Sequence, residues 1–279
     1  MQIGAKLPNS GPLVRTIGIT EMAATLERAG FESLWVSDHV VLPKEIRSRY
    51  PFAADGKATW STTVPYIDAV VALSLIAGAT ERATIGTAVL VLPLRNPVVF
   101  AKQAASLDAL SGGRLRLGLG AGWLREEFEA LDVPFETRGR ALVEGIRILR
   151  ECWTGTYRGK IVCEPTPVGD LPVYVGGHSE PALRRAGAVG DGWLGQQSLD
   201  AIDTDELEAA DAAMRVAAAD AGRDPSALRL VLRIVDSAGR SDEVARSLPA
   251  LEAAGVDEVI VDVDWERGDP AADHARMAS

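Results

Sequence analysis

Cysteine is scarce in this sequence, and its scarcity excludes two kinds of scaffold. The 279 residues contain only Cys152 and Cys163, which do not form a Cys-x-x-Cys pair. Disulfide frameworks and structural zinc sites need several suitably spaced cysteines or histidines, so the sequence indicates neither. Histidine is also rare, with three residues, and no repeated histidine and carboxylate pattern suggests a metal site. We therefore expect no bound metal.

Basic residues are too few for a general nucleic-acid-binding protein. The chain has 29 Lys and Arg against 39 Asp and Glu, a formal net charge of −10. Binding to phosphate backbones needs a basic face, and no long run of lysine or arginine is present. We expect a small-molecule substrate and no nucleic-acid partner.

Long apolar runs and targeting features are missing as well. A charge-free apolar stretch at residues 83–94 has 12 residues, fewer than the roughly 18–20 that a membrane span requires. The N-terminal residues lack the apolar run and small-residue cleavage site of a signal peptide. Hydrophobic residues make up 47% of the chain, as in an ordinary globular core. We expect a cytoplasmic protein with no membrane association.

Short β-branched runs alternate with helical patterns along the whole chain, which is typical of parallel βαβ units. Eight strands are predicted, at residues 2–7, 33–37, 84–91, 115–119, 173–175, 192–194, 228–235 and 258–263. Helices are predicted at residues 19–28, 66–79, 98–110, 138–153, 181–188, 204–221 and 242–253, with a short one after Pro270. This count favours a single α/β domain over residues 1–279, a (β/α)8 TIM barrel. A doubly wound open sheet is the alternative, because strand order cannot be read from one sequence.

Two connections are longer than a barrel needs. Residues 41–64, after the second strand, are rich in basic and aromatic side chains, and a loop of this length is usually functional or mobile. We interpret it as a candidate lid. Residues 155–171, before the fifth strand, are interpreted as a covering loop or short hairpin without assigned chemistry.

The active site of such a barrel lies at the carboxyl ends of its strands, so the residues after each strand are the candidates. Asp38 and His39 follow the second strand, and histidine is a natural proton carrier near neutral pH. Asn96 follows the third strand and could also cap the next helix. Gly120 and Gly122 follow the fourth strand, where they would let a flat ligand approach the backbone. These glycines do not complete a GxGxxG fingerprint, which weakens the doubly wound alternative.

The fifth strand is followed by a glycine turn that leads into a helix. Free N–H groups at a helix N-terminus suit a phosphate, and either Arg184 or Arg185 could add charge. The residues of this predicted phosphate site are Gly176, Gly177, His178 and Ser179. Three tryptophans could line an aromatic substrate pocket at the same end of the barrel: Trp60, Trp123 and Trp193.

At these strand ends the sequence resembles the bacterial luciferase-like monooxygenase superfamily, and in particular its actinobacterial branch of coenzyme F420-dependent oxidoreductases. The motifs that carry the resemblance are LWVSDH at 34–39, YPF at 50–52, IGTAVLVLPLRNP at 85–97, LDALSGGR at 107–114, LGLGAGWLREEF at 117–128, RGR at 138–140, VGG at 175–177 and GDGW at 190–193. Recognisable motifs cover roughly residues 1–195.

The resemblance implies a luciferase-like TIM barrel that binds F420 or, alternatively, FMN. Ala88 and Val89 would form a non-prolyl cis peptide in a bulge that supports the cofactor ring from behind. Asp38 would contact the ring, His39 would lie near its reactive edge, and the glycine turn would hold the phosphate. Related sugar-phosphate dehydrogenases have a glutamate where this chain has Trp123, which suggests a more apolar substrate.

Three functions follow from the resemblance. The first is hydride transfer between F420 and a small organic substrate, assisted by His39. The second is an FMN-dependent monooxygenase supplied by a separate reductase. The third is a non-catalytic cofactor-binding or partner subunit. The resemblance also implies a homodimer.

Overall fold

Eight parallel strands close into a barrel, which confirms the predicted fold class and rejects the open-sheet alternative. A computed structural model describes residues 1–53, 55–58 and 60–279 of the chain. The barrel order is β1-β2-β3-β4-β7-β8-β9-β10, and β10 pairs back to β1. The barrel strands are β1 (Gln2–Lys6), β2 (Ser33–Val36), β3 (Thr84–Val91), β4 (Leu115–Gly120), β7 (Val173–Gly176), β8 (Gly192–Ser198), β9 (Arg229–Val235) and β10 (Glu258–Asp262).

The helices surround the barrel and follow the strands, as the alternating pattern predicts. They are α1 (Leu13–Thr16), α2 (Ile19–Ala29), α3 (Ala69–Ala79), α4 (Pro97–Ser111), α5 (Arg125–Ala130), α6 (Arg138–Trp153), α7 (Glu180–Val189), α8 (Thr204–Asp220), α9 (Ser241–Ala253) and α10 (Pro270–Met277). The two short helices α1 and α5 were not predicted, because a single turn leaves no periodic pattern to detect.

Side-chain caps decide where some of these helices begin. The helix predicted from residue 66 starts at Ala69, because the carboxylate of Asp68 accepts hydrogen bonds from the N–H groups of Val70 and Val71. Tyr66, before that cap, instead forms an isolated antiparallel bridge with Ser10. The missed cap explains the difference of about one turn.

The two long connections differ in structure. Within residues 155–171 a small antiparallel hairpin forms from β5 (Thr156–Tyr157) and β6 (Ile161–Val162), which agrees with the hairpin interpretation. The described part of residues 41–64 contains turns and bends without a named helix or strand. Ala54 and Thr59 of this connection lie outside the described residues, and its role as a lid stays a prediction.

The barrel interior is filled mainly by apolar side chains at mid-height and by charged side chains at its amino-terminal end. Because side chains alternate along a strand, one set points inward and the other packs against the helices. The inward apolar set contains Trp35, Ala88, Tyr174, Leu194, Val231 and Ile260, with Val89 packed against it. Near the amino-terminal end, the buried carboxylate of Glu258 pairs with Arg116, 2.8 Å from Nη1, and accepts from Trp35 Nε1 at 3.0 Å.

No helix in the described residues is long and apolar enough to cross a membrane.

Candidate functional site

One side of the barrel mouth is a smooth apolar surface around Val89. The β3–β4 register shifts between Thr87 and Leu90, so β3 carries a bulge at Ala88 and Val89, and the peptide between these two residues is cis. The Val89 side chain enters the barrel between Gly120 and Gly176. A Cβ atom built on either glycine would lie 2.7 or 2.8 Å from a Val89 methyl group. Val89, Gly120 and Gly176, which the sequence predicted as site residues, therefore lie together. The two glycines are needed because a side chain at either position would collide with Val89.

Asp38 joins the end of β2 to the end of β3. Its buried carboxylate accepts two hydrogen bonds from Arg95, both at 2.8 Å, and one from the Val91 N–H at 3.0 Å. Arg95 also binds Asp68 at 2.9 Å. Burial raises the pKa of Asp38, and the guanidinium of Arg95 and the Val91 N–H oppose that rise.

The predicted contact between Asp38 and a cofactor ring needs correction. The side chain of Asp38 is completely shielded from solvent, and its oxygens are already used by protein donors. Asp38 is therefore a positioning residue that fixes the segment leading to His39.

His39 is held by a carboxylate that sequence analysis did not identify. Its Nδ1 lies 3.0 Å from Glu127 Oε2, while Glu127 Oε1 accepts from the N–H groups of Val40 and Val41. Because an ionised carboxylate only accepts hydrogen bonds, this contact assigns a proton to Nδ1. Within the described residues Nε2 of His39 forms no hydrogen bond, so it is free to act on a bound molecule.

A pattern in the sequence could have revealed Glu127. Glu127 stands beside Phe128 in α5 and three residues after Leu124, which precedes the helix, and both apolar residues are buried. An acidic residue on an apolar face needs a buried partner. Glu127 itself is only 1% exposed.

Aromatic rings surround His39, and two of the three predicted tryptophans are among them. Ring centroids lie 6.5 Å away for Trp60, 6.2 Å for Trp123 and 5.5 Å for Tyr66. Tyr50 links the two tryptophans, at 4.9 Å from Trp60 and 5.1 Å from Trp123. We call Tyr50, Trp60, Tyr66 and Trp123 the aromatic wall. The tyrosines were not predicted as part of the site.

Trp193 does not belong to this wall. It lies near the start of β8, is fully buried, and packs outward against the helix layer, while the next residue, Leu194, faces the barrel interior. Its Nε1 donates a hydrogen bond to the Gly177 carbonyl at 2.8 Å. The prediction failed because residue 193 was placed at a strand end; the strand continues to Ser198. Trp193 stabilises the glycine turn through its hydrogen bond to the Gly177 carbonyl.

The glycine turn itself has the expected shape. Gly177 has a φ of +118°, which few side chains tolerate, and Ser179 is the N-cap of α7. The Ser179 side chain forms no capping hydrogen bond, Pro181 has no N–H, and the Ala182 N–H donates to the Ser179 carbonyl at 2.7 Å, so among the described residues the Glu180 N–H is the donor left at the start of α7. This local geometry is suited to an anion.

His178 is engaged by the protein on both ring nitrogens. Its Nε2 accepts from the Gln196 N–H at 2.9 Å, and its Nδ1 lies 3.2 Å from Glu206. The predicted role of His178 as a phosphate ligand therefore needs correction, because neither nitrogen is free. His178 ties the turn to β8 and α8.

Two arginines near the turn differ in their surroundings. Arg184 is exposed and pairs with Glu180. Arg185 points toward the start of α6, where its Nη1 lies 3.0 Å from the position a Gly139 Cβ would take. Its buried Nε has no hydrogen-bond partner among the described residues, and burial together with Arg138 lowers the pKa of Arg185. Of the two candidates, Arg185 is the one with an unused buried donor.

Two further predicted ligand-binding residues have structural roles. Asn96 is exposed and caps α4, accepting from the N–H groups of Val98 and Val99 at 3.0 and 3.2 Å. Gly122 has a φ of +84°, and a Cβ there would meet Phe128 and Val91 at 2.7 Å, so it is needed for packing. The sequence analysis had already offered the cap as an explanation for Asn96.

The other side of the mouth is charged, and sequence analysis missed it. Lys6, Asp262 and Arg233 lie on the neighbouring strands β1, β10 and β9, on their inward faces. The sequence-based candidates were residues that follow each strand, whereas these three lie within the strands. A charged residue inside an apolar strand was the available signal.

The described residues contain no group of three or more His, Cys, Asp or Glu side chains that could hold a metal ion.

Comparisons with known proteins identify relatives of this chain. An uncharacterised protein of Mycobacterium bovis is 38% identical over 182 residues, covering 62% of this chain and 63% of the relative. An F420-dependent hydroxymycolic acid dehydrogenase of Mycobacterium tuberculosis is 31% identical over 228 residues, covering 77% and 57%. The chain thus matches less than two thirds of the length of these relatives.

A solved structure supports the fold. An F420-dependent secondary alcohol dehydrogenase, in complex with an F420-acetone adduct, superposes with a TM-score of 0.77 at 18% sequence identity. The match covers 99% of this chain and 97% of that structure. The family model described as luciferase-like monooxygenase matches residues 8–275. The chain belongs to the luciferase-like monooxygenase family.

Proposed function

We propose that this protein is an oxidoreductase that transfers a hydride between coenzyme F420 and a small organic substrate, with His39 moving the accompanying proton. The observation that carries the proposal is the His39–Glu127 pair, which lies inside an aromatic wall at the end of β2. Asp38 anchors this segment beside the β3 bulge through Val91 and Arg95. Dehydrogenases named as F420-dependent among the relatives support the choice of cofactor.

The residues present fit a flat, anionic cofactor. Gly120 and Gly176 carry no side chain, so Val89 forms a smooth apolar surface on which a planar ring can rest. The Glu180 N–H at the start of α7 and the unused Nε of Arg185 offer donors for a phosphate. Binding at these positive features also explains how an anion approaches a chain with a net charge of −10.

When bound, F420 supplies the carbon that accepts or donates the hydride, and the protein supplies binding and orientation. Val89 supports the ring, and Gly177, Ser179 and Arg185 hold the phosphate. The aromatic wall excludes water and presents the substrate to His39. His39 takes up or releases a proton at Nε2 while Glu127 holds Nδ1.

The proposal is tested by titrating the purified protein with F420 and with FMN and following cofactor fluorescence. We expect F420 to bind at least about tenfold more tightly than FMN. Arg185→Gln should weaken F420 binding by about tenfold, because a charged hydrogen bond to phosphate is lost. Its matched control is Arg184→Gln, which changes an exposed neighbour paired with Glu180 and should leave the affinity within a factor of about two.

Preferential binding of FMN, with oxygen consumption when reduced FMN is added, would replace this proposal with the monooxygenase alternative. Binding of F420 without turnover of any alcohol, ketone or activated alkene would favour the non-catalytic subunit.

A further inference from the structure

We propose that Lys6 and Arg233 form a subsite for a carboxylate, so that the substrate is a flat apolar molecule carrying an anionic group. This inference rests on the proposed function, because it assigns the charged side of the mouth to the substrate of the same site. Its basis is a row of two buried basic side chains beside one carboxylate, in which the buried Nε of Arg233 has no acceptor among the described residues.

The three charged residues form one continuous row. Lys6 pairs in register with Asp262, and Arg233, on the adjoining strand, reaches Asp262 with Nη2 at 3.1 Å. Gln196 pairs in register with Arg233 and extends the row toward the glycine turn. Lys6 is only 8% exposed, and the Arg233 side chain 18%. The row therefore lies within the mouth, away from the outer surface.

The row contains two basic side chains and one carboxylate, which pairs with only one of them. Asp262 binds Arg233, whereas Lys6 Nζ donates to the neutral oxygens of Leu7, at 2.8 Å, and Asn9, at 3.5 Å. Within the described part of the chain Lys6 forms no ion pair, and the buried Nε of Arg233 has no acceptor. A buried donor without an acceptor is unfavourable. A ligand oxygen at this place would accept a hydrogen bond from Arg233 Nε and remove that cost.

The surroundings of Lys6 disfavour its charged form. Burial and the repulsion from Arg233 lower the pKa of Lys6 to about 7, although Asp262 opposes this change. An added carboxylate beside Lys6 would favour its charged form and relieve the repulsion between the two cations.

Tyr66 connects this row with the proposed reaction centre. Its ring contacts His39 at 5.5 Å between centroids. Burial and the negative charge of Asp38 raise the pKa of Tyr66, and the charge of Arg233 acts on the same phenol in the opposite direction. Geometrically the row is joined to the same place through Asn9, whose Oδ1 lies 3.5 Å from Lys6 Nζ and accepts from the Ser37 N–H at 3.1 Å, so a molecule with its apolar body against the aromatic wall can place its carboxylate at the row.

Under the proposed function, the cofactor binds at the opposite side of the mouth. Val89 and the glycines offer the cofactor ring an apolar surface, and the phosphate donors lie at the start of α7. The cationic row on β1, β10 and β9 remains for the substrate.

The test uses benzoate and benzamide, which share a flat apolar body and differ in charge. Calorimetry measures their affinity for the protein with and without bound F420. We expect benzoate to bind about tenfold or more tightly than benzamide, because hydrogen bonds to charged groups are the stronger ones. Arg233→Gln and Lys6→Met should each reduce this preference toward equal binding while F420 affinity changes less than about threefold.

Arg229→Gln is the matched control, since Arg229 lies at the amino-terminal end of the same strand beside Asp257. It should leave the preference for benzoate unchanged. Equal binding of the two probes to the unaltered protein would overturn the inference, as would a preference that survives Arg233→Gln. A large loss of F420 affinity in Arg233→Gln would overturn it too, by assigning the row to the cofactor.

The two proposals can fail separately. If F420 does not bind at all, the function proposed above fails, while the comparison of benzoate with benzamide in the cofactor-free protein still decides whether the cationic row selects carboxylates.

Discussion

At the scale of single residues, the proton chemistry depends on which nitrogen of His39 is free. Glu127 is buried and acts as an acceptor for three donors, namely His39 Nδ1 and the N–H groups of Val40 and Val41. This arrangement fixes both the ring orientation and the position of one proton. Under the proposed function Nε2 accepts or donates the second proton, so the same histidine would serve either direction of hydride transfer.

We predict that His39→Ala lowers turnover by about 10²-fold or more, the usual scale of acid–base assistance, and changes F420 affinity by only a few fold. Glu127→Gln should lower turnover by a similar order because the imidazole loses its fixed orientation. The double variant should be no slower than His39→Ala alone, since both changes remove the same contribution. Stopped-flow reduction or oxidation of F420 measures these rates.

Glu129→Gln provides the control for this set, because Glu129 is an exposed residue of the same short helix. It should leave the rate unchanged. Independent, multiplying effects of the His39 and Glu127 changes would contradict the assignment of Glu127 as the positioning partner.

The residues that sequence analysis identified and missed differ in a physical way. His39 was identifiable because it is a rare, titratable residue directly after a strand. Glu127 and Arg95 act through contacts across long sequence separations, and single-sequence reasoning cannot assign such partners. Asp38 was identified as important, yet its role required knowing that Arg95 and Val91 already occupy its oxygens.

At the scale of elements, the β3 bulge determines the shape of the apolar surface around Val89. The extra residue in β3 turns Val89 into the barrel, and the neighbouring strands accommodate it only because they carry Gly120 and Gly176 at that level. The packing of Val89 thus constrains residues on three strands, although the two glycines are far apart in sequence.

We predict that Gly176→Ala destabilises the protein by about 1–3 kcal/mol and weakens F420 binding, because the new methyl group would lie 2.8 Å from Val89. Adding Val89→Ala should recover part of the stability lost in Gly176→Ala, since it removes the colliding group. Urea unfolding gives the free energies, and the F420 titration gives the affinities.

Gly169→Ala serves as the comparison, because a Cβ at Gly169 meets nothing within 4 Å. It should change stability by less than about 0.5 kcal/mol. If Val89→Ala and Gly176→Ala were strictly additive, Val89 would not be the residue that requires the glycine.

Element positions were more predictable than the directions of side chains. Periodicity and turn residues predicted all eight barrel strands, and the bounds of β3 and α6 agree completely with the prediction. The predicted orientation of Trp193 was wrong because the end of its strand was placed a few residues too early. Side chains alternate between the two faces of a strand, so an error in the strand end changes the face assigned to a residue. Gly120 was expected to approach a ligand directly, whereas its immediate neighbour is Val89.

At the scale of the whole molecule, the net negative charge of the chain contrasts with the two basic side chains buried inside the barrel. A chain with a net charge of −10 keeps Lys6 and Arg233 inside the barrel, where screening by water is weak. Under the two proposals above, these buried basic side chains are the places where an anion binds. The homodimer, the separate reductase partner of the FMN alternative, the single-domain organisation and the cytoplasmic location stay predictions from sequence.

Closure of the barrel could not be read from the sequence, because strand spacing is the same in an open sheet. It depends on β10 pairing with β1 over five residue pairs, from Gln2 with Glu258 to Lys6 with Asp262. Near the amino-terminal end of this seam, Glu258 also binds Ser33 and Trp35 on β2 and Arg116 on β4. One buried carboxylate thus joins strands from three parts of the chain.

The buried carboxylate of Glu258 has Arg116 as its cation. Arg116→Met should destabilise the protein by about 3 kcal/mol, because Glu258 would stay buried without its cation. Adding Glu258→Gln should recover stability, since the neutral amide oxygen can still accept from Trp35 and leaves no unpaired charge. Arg28→Met, which breaks an exposed pair with Glu21, should cost less than about 1 kcal/mol. Urea unfolding measures all four proteins, and a double variant less stable than Arg116→Met would show that hydrogen bonding, rather than charge compensation, dominates at this seam.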